Sequence, residues 1–205
     1  MGYHGNHPKF GEESAQMENL LSAERPEAGG RTRQMVLAAL FVALGCVATM
    51  LVQIPSPTNG YLNLGDAVVL LGAYLLGPAY GAAAGGVGPA LADLLSGYAM
   101  YVPGTLVIKA LMGLTAALLY RALGRRTWAP AVCGLAAEII MAAGYWFYDG
   151  VLAAAGGGDF SLALTASAAG IPSNLIQGAF GLAVSTLLVL ALRRSAYVRR
   201  QFPSL

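Results

Sequence analysis

DAVVLLGAYLLGPAYGAAAGGVGPALADLLS, residues 66–96, decides how many times this chain crosses a membrane. Apart from two aspartates it is apolar or small throughout, and Gly77-Pro78 interrupts it. A proline has no backbone N–H to donate and clashes with the preceding turn, so a helix stops or bends there. The stretch is therefore read as a short span from about Asp66 to Leu76 and another from about Ala79 to Ser96. Four further apolar runs, each near the 20 residues that cover roughly 30 Å of hydrocarbon, complete the set. They run from about Gln34 to Gln53, Pro103 to Leu123, Ala129 to Tyr148 and Ala166 to Leu192. The expected fold is an all-α integral membrane protein with six transmembrane helices.

Composition agrees. Of 205 residues 57% are hydrophobic and only 11% charged, with mean hydropathy +0.61, whereas about a quarter of a soluble domain is charged. The formal net charge of +2 excludes a strongly basic nucleic-acid binder and an acidic disordered chain. Residues 1–30 carry Lys9 and Arg25 against five glutamates with no apolar periodicity, and are read as a mobile cytoplasmic tail ahead of a transmembrane domain at 31–205. No cleaved signal, myristoylation or prenylation pattern is recognised. Cys46 and Cys133 lie inside apolar runs and are read as buried free thiols.

Orientation follows from the arginines. All Lys and Arg residues except Lys109 fall in the tail up to Arg33, around Arg121, Arg125 and Arg126, or at Arg193, Arg194, Arg199 and Arg200. Cytoplasmic loops collect such charge. Four spans separate the first cluster from the second and two separate the second from the third, so all three share a side and both termini are cytoplasmic. Merging the spans on either side of Gly77 would put the Arg121 cluster outside. The loops at 54–65, 97–102 and 149–165 then face outward without a Lys or Arg, the last with a turn-rich stretch from Ala153 to Leu164.

Small residues suit close helix packing, which in lipid carries much of the association. Gly77, Gly81 and Gly85 repeat every four residues, followed by Gly88 and Ala92. The cluster lacks the Gly-Lys-Ser/Thr ending of a phosphate loop and the strand context of a dinucleotide site. Ala39 and Ala43 make a second small pair, one turn apart on the first span.

A charge inside a span is a functional hypothesis by default. Asp66, Asp93, Lys109 and Glu138 are the candidates, and Asp93 and Lys109 have similar depth and are expected to be able to pair. Tyr145 and Trp146 follow Glu138 by about two helical turns on the same side, although aromatics there also suit interfacial anchoring. Asn174 and Gln177 share one face of the last span. Together these residues point to a pocket open to the outside that suits a small, flat, polar heterocycle. Catalytic and metal sites are not expected: His4 and His7 are both in the tail, and no nucleophile elbow occurs. Asp93 and Glu138 would be the dyad of an intramembrane enzyme, and Asp93, Lys109 or Glu138 the relay of a proton-coupled carrier.

The ordered set Tyr61-Leu-Asn-Leu-Gly-Asp66, Leu75-Leu-Gly-Pro-Ala-Tyr-Gly81, Gly85-Gly-Val-Gly-Pro-Ala-Leu-Ala-Asp-Leu-Leu-Ser-Gly-Tyr98 and Lys109-Ala-Leu-Met-Gly113 resembles the substrate-binding S components of energy-coupling factor (ECF) transporters, in the riboflavin-transporter-like group. The resemblance covers about 31–193. It implies capture of a vitamin or vitamin precursor from outside a bacterial-type cell membrane, without a cofactor. A transmembrane coupling protein and two cytosolic ATPases would supply the work. It maps a coupling-protein contact onto Ala39 and Ala43, and a substrate pocket onto Asn63, Lys109, Glu138, Tyr145, Trp146, Asn174 and Gln177. A hydroxymethylpyrimidine-type thiamine precursor is the first expectation, on the argument that Glu138 accepts from an aminopyrimidine and Trp146 stacks on it, with riboflavin, pantothenate, pyridoxine-like vitamins and folate left open.

Overall fold

In hydrocarbon a backbone must satisfy its own hydrogen bonds, so long apolar runs become helices. The computed structural model describes residues 28–202; the expected tail lies almost wholly outside the described residues. Helix α1 is Ala28–Leu51, α2 Gly65–Leu95, α3 Val102–Ala122 and α4 Ala129–Ala155. A short α5, Phe160–Ser167, continues through a 3-10 turn at Ala168–Gly170 into α6, Ile171–Leu192, and α7 is Ala196–Gln201. Between α1 and α2, β1 (Ile54–Pro55) pairs antiparallel with β2 (Tyr61–Leu62), Ile54 opposite Leu62. The chain divides into two units, Met1–Gln34, of which only the start of α1 is described, and Met35–Leu205, which holds everything below.

Five helical stretches among the described residues are long and apolar enough to cross a membrane: Gly30–Leu51, Gly65–Leu95, Val102–Ala122, Ala129–Ala155 and Phe160–Leu192. The second is not straight. Gly77 has φ 78° and ψ −175°, a conformation open to glycine and strained for other residues. A Cβ on Gly81 would lie 2.7 Å from Ala73 Cα, and one on Gly85 2.9 Å from Val69 Cγ1. In a straight helix residues 69 and 85 would be about 24 Å apart. The chain therefore turns back on itself at Gly77, and α2 is a helical hairpin whose two arms touch through glycine.

The second arm of that hairpin sits between α1 and α3. A Cβ on Gly88 would come 2.8 Å from Val42 O, and one on Gly86 2.7 Å from Leu106 O. Both obstacles are backbone, which cannot swing aside. Gly88→Ala and Gly86→Ala are therefore expected to cost about 1–3 kcal/mol each. Gly45→Ala, across the same α1–α2 contact, meets nothing nearer than 3.8 Å and should be close to neutral. Thermal unfolding of the three variants in detergent checks this contrast.

Further inside, Tyr74, Met112, Cys133, Ala137, Met141 and Val189 form a buried core. Tyr74 stacks on Tyr120 at 4.8 Å and donates to the carbonyl of Pro130 at 2.8 Å. Both cysteines are free; Cys133 is buried and Cys46 half-buried. The expected loop from Ala153 to Leu164 shrinks to residues 156–159. Alanines carry α4 on to Ala155, and Asp159 starts α5 by accepting from Leu162 N–H at 3.0 Å. That bond holds the exposed Asp159 carboxyl below its ordinary range.

The second and third arginine clusters meet at one end. Arg193, after α6, donates to the carbonyl of Arg125 in the turn after α3, and its guanidinium lies 5.5 Å over the ring of Tyr120.

Candidate functional site

At the other end of α3 and α6, the 54–63 segment folds over the helix tips. Asn59 takes a left-handed φ of 64°, and Ser56 N–H donates to Gly60 O at 2.8 Å, which closes the β1–β2 turn. Beneath it lies a small polar pocket of about 30 Å³. The loop supplies Ser56, Thr58, Tyr61 and Asn63, α2 supplies Asp93, and α3 with its preceding residue supplies Tyr101 and Thr105. Tyr145 and Asp149 come from α4, and Asn174 and Gln177 from α6. A wider outer pocket of about 350 Å³ adjoins it, sharing Thr58, Tyr101 and Asp149 and bounded by Met100, Leu152, Ala153, Ala163 and Ala166.

Hydrogen bonds tie the loop to the helices at three points. Tyr61 donates to Asp93 Oδ1 at 2.6 Å. The Tyr101 hydroxyl lies 2.7 Å from Thr58 O and 3.0 Å from Asp149 Oδ1. Asn63 N–H donates to Gln177 Oε1 at 2.8 Å. Burial, and after it the hydrogen bond to Asp93, pushes the Tyr61 phenol above its ordinary range. Burial and the neighbouring Asp149 charge do the same for Tyr101. Both hydroxyls therefore remain donors through the physiological range.

Below the pocket lies a charged cluster. The Lys109 ammonium pairs with Asp66 Oδ1, both side chains being 1% exposed. Gln177 Nε2 donates to Asp66 Oδ2 at 2.8 Å. Lys109 thus pairs with Asp66 and not with Asp93, because the α2 hairpin carries the start of its first arm to α3. Glu138 lies beside Asp66: a Cβ on Gly181 would be 2.7 Å from both Asp66 Cβ and Glu138 Oε1. Among the described residues neither Glu138 oxygen has a hydrogen-bond partner. Its side chain borders a separate apolar crevice of about 240 Å³ between α4 and α6, walled by Leu135, Ile139, Leu175 and Leu182.

Of the residues expected to bind substrate, Asn63, Tyr145, Asn174 and Gln177 line the inner pocket. Lys109, Glu138 and Trp146 are not among the residues lining either pocket. Trp146 instead donates through Nε1 to Leu164 O at 3.0 Å, pinning α5 to α4. Sequence reasoning passed over Thr58, Tyr101, Thr105 and Asp149. The signal for Asp149 was present, an acid next to Tyr148, but ending the span at Tyr148 placed it in a loop.

A family profile described as "ECF-type riboflavin transporter, S component" matches residues 30–194. The chain belongs to this S-component family. The family is one of transport components rather than an enzyme class, and the apolar helices fit a multi-pass membrane protein. The chain is also 54% identical, over 68 residues, to an "Uncharacterized protein in gap 3'region" of Pyrococcus woesei. That stretch is 33% of this chain and 45% of the relative, so the chain spans under half the length of the relative it matches.

Proposed function

We propose that this S-component family member captures a vitamin or vitamin precursor outside a bacterial-type cell membrane for an ECF-type importer. The observation that carries the reading is the polar pocket under the 54–63 segment, built from five helix-borne and loop-borne elements at the end of α3 and α6 opposite the arginines. A buried cluster of hydroxyls, amides and carboxyls inside an apolar bundle is expensive unless it has a ligand or a proton pathway to serve.

Six crossings with both termini cytoplasmic fit this reading. The reversal at Gly77 supplies the extra pass, and the Arg193 to Arg125 contact supports a common side for two arginine clusters. Asn63, Tyr145, Asn174 and Gln177 are then substrate contacts, with Tyr61, Asp93, Tyr101 and Asp149 added to them. Lys109 serves as the counter-charge of Asp66. The family name points to riboflavin, and a hydroxymethylpyrimidine-type compound remains the sequence-based alternative. Ala39 and Ala43 are exposed on α1, the least buried of the five long helical stretches, which suits a contact with a transmembrane coupling protein driven by two cytosolic ATPases.

Native mass spectrometry of the purified protein, followed by thermal shifts with a vitamin panel and uptake with and without the ATPases, tests the reading. A co-purified heterocycle and ATPase-dependent uptake are expected. A stand-alone proton-coupled carrier is the second reading, favoured by the unpartnered Glu138 carboxyl. Uptake that survives loss of the ATPases and collapses with an uncoupler would select it.

A further inference from the structure

The charge of the two pockets restricts what they accept. Among their lining residues are two carboxyl side chains, Asp93 and Asp149, and no Lys, Arg or His. Lys109 is the only Lys, Arg or His inside residues 34–120, and Asp66 already neutralises it. Asp93 is 5% exposed, and among the described residues its Oδ2 has no hydrogen-bond partner although Oδ1 takes the Tyr61 hydroxyl. Asp149 is 7% exposed and receives Tyr101. Taking carboxylates out of water without a counter-charge is costly.

Tyr61 lines the inner pocket and Tyr101 lines both, with Tyr98 and Tyr148 packed against these rings. Tyr61 and Tyr98 lie 4.7 Å apart between centroids, Tyr98 and Tyr101 6.3 Å, and Tyr101 and Tyr148 6.1 Å. Negative ring faces beside carboxylates attract a cation and repel an anion. Size adds a constraint. The inner pocket of about 30 Å³ holds no more than one small group. The outer pocket of about 350 Å³ is in the range of small-molecule sites.

We propose that the site selects a solute bearing a cationic nitrogen, with a small N–H-bearing group at Asp93 in the inner pocket and the charged ring or amine at Asp149 and Tyr101 in the outer one, and that it rejects carboxylate- and phosphate-bearing solutes. The proposal deepens the substrate-capture reading and rests on it.

The test uses the full chain in detergent, with thermal shift and native mass spectrometry against thiamine and pyridoxamine as cationic probes, riboflavin as a neutral one, and biotin and pantothenate as anions. A cationic probe is expected to bind. Asp93→Asn and Asp149→Asn should each weaken it by about 30-fold or more, with ligand-free melting near that of the native protein. Asp149→Glu, which keeps the charge, should retain the preference for cations even where Asp149→Asn melts early. Binding of an anionic or neutral probe in preference to the cations overturns the charge assignment and leaves the capture reading standing. A protein that carries no small molecule and responds to no probe overturns both.

Discussion

Lys109→Met is expected to lower the unfolding free energy of the detergent-solubilised protein by about 3–5 kcal/mol, the scale seen when one partner of a buried ion pair is removed. The ammonium is 1% exposed and sits against Asp66, which is equally buried. Without it, the Gln177 amide is the one side-chain donor left to Asp66 among the described residues, and the Glu138 carboxyl, without a hydrogen-bond partner among them, lies close by. Two acids would then share an apolar space with no cation. The double variant Asp66→Asn/Lys109→Met removes both charges at once and should recover most of the loss, since replacing a whole buried pair is often neutral. Denaturant titration of the four proteins gives the coupling directly. A Lys109→Met protein as stable as the native one would mean that Lys109 is not the counter-charge of Asp66, and would return it to the substrate contacts.

Replacing Ala39 and Ala43 together with leucine is expected to abolish uptake while leaving ligand binding unchanged. Both alanines lie on the exposed side of α1 with Met35, Leu40, Leu44 and Val47, while Phe41 and Gly45 on another side pack on α2. The substitution therefore changes nothing in the bundle interior. Where helices associate through small residues, each forced side chain costs about 1–3 kcal/mol, so two of them should weaken a coupling contact by at least about tenfold. The comparison is between radiolabelled uptake in vesicles holding the whole transporter and binding to the purified chain. Unimpaired uptake would remove the coupling contact from this face.

Much of this architecture is visible without coordinates because it depends on local chemistry. Gly77-Pro78 announces a break, since the proline takes away a helix hydrogen bond and crowds the preceding turn while the glycine accepts a positive φ, and the structure turns there. Tyr145, Asn174 and Gln177 are legible as pocket residues because polar groups inside apolar spans need partners, whereas Asn63, in a loop, is reached only through the family resemblance. The partners themselves are not legible. Depth alone matched Lys109 with Asp93, but which acid it meets depends on how each helix is rotated and on where the hairpin returns. Glu138 likewise lies at a suitable depth, yet α4 turns it toward Asp66 and the α4–α6 crevice. Trp146 lies inside α4, which runs on to Ala155, and its indole is taken up by the Leu164 carbonyl.

By itself, then, the sequence determined that this chain lies in a membrane, where its apolar runs become helices, where the run broken at Gly77-Pro78 reverses, and which family it resembles. Each of these follows from residues within one or two turns of each other or from charge summed over a loop. Only the tertiary structure decided that Asp66 neutralises Lys109, that the pockets therefore keep two uncompensated acids, and that Thr58 and Tyr101 close over them. The physical reason is that a step of one residue rotates a side chain by about 100° around a helix. Pairing between helices is set by rotations and crossings that glycine contacts such as Gly81 on Ala73 and Gly88 on Val42 impose across distant parts of the chain.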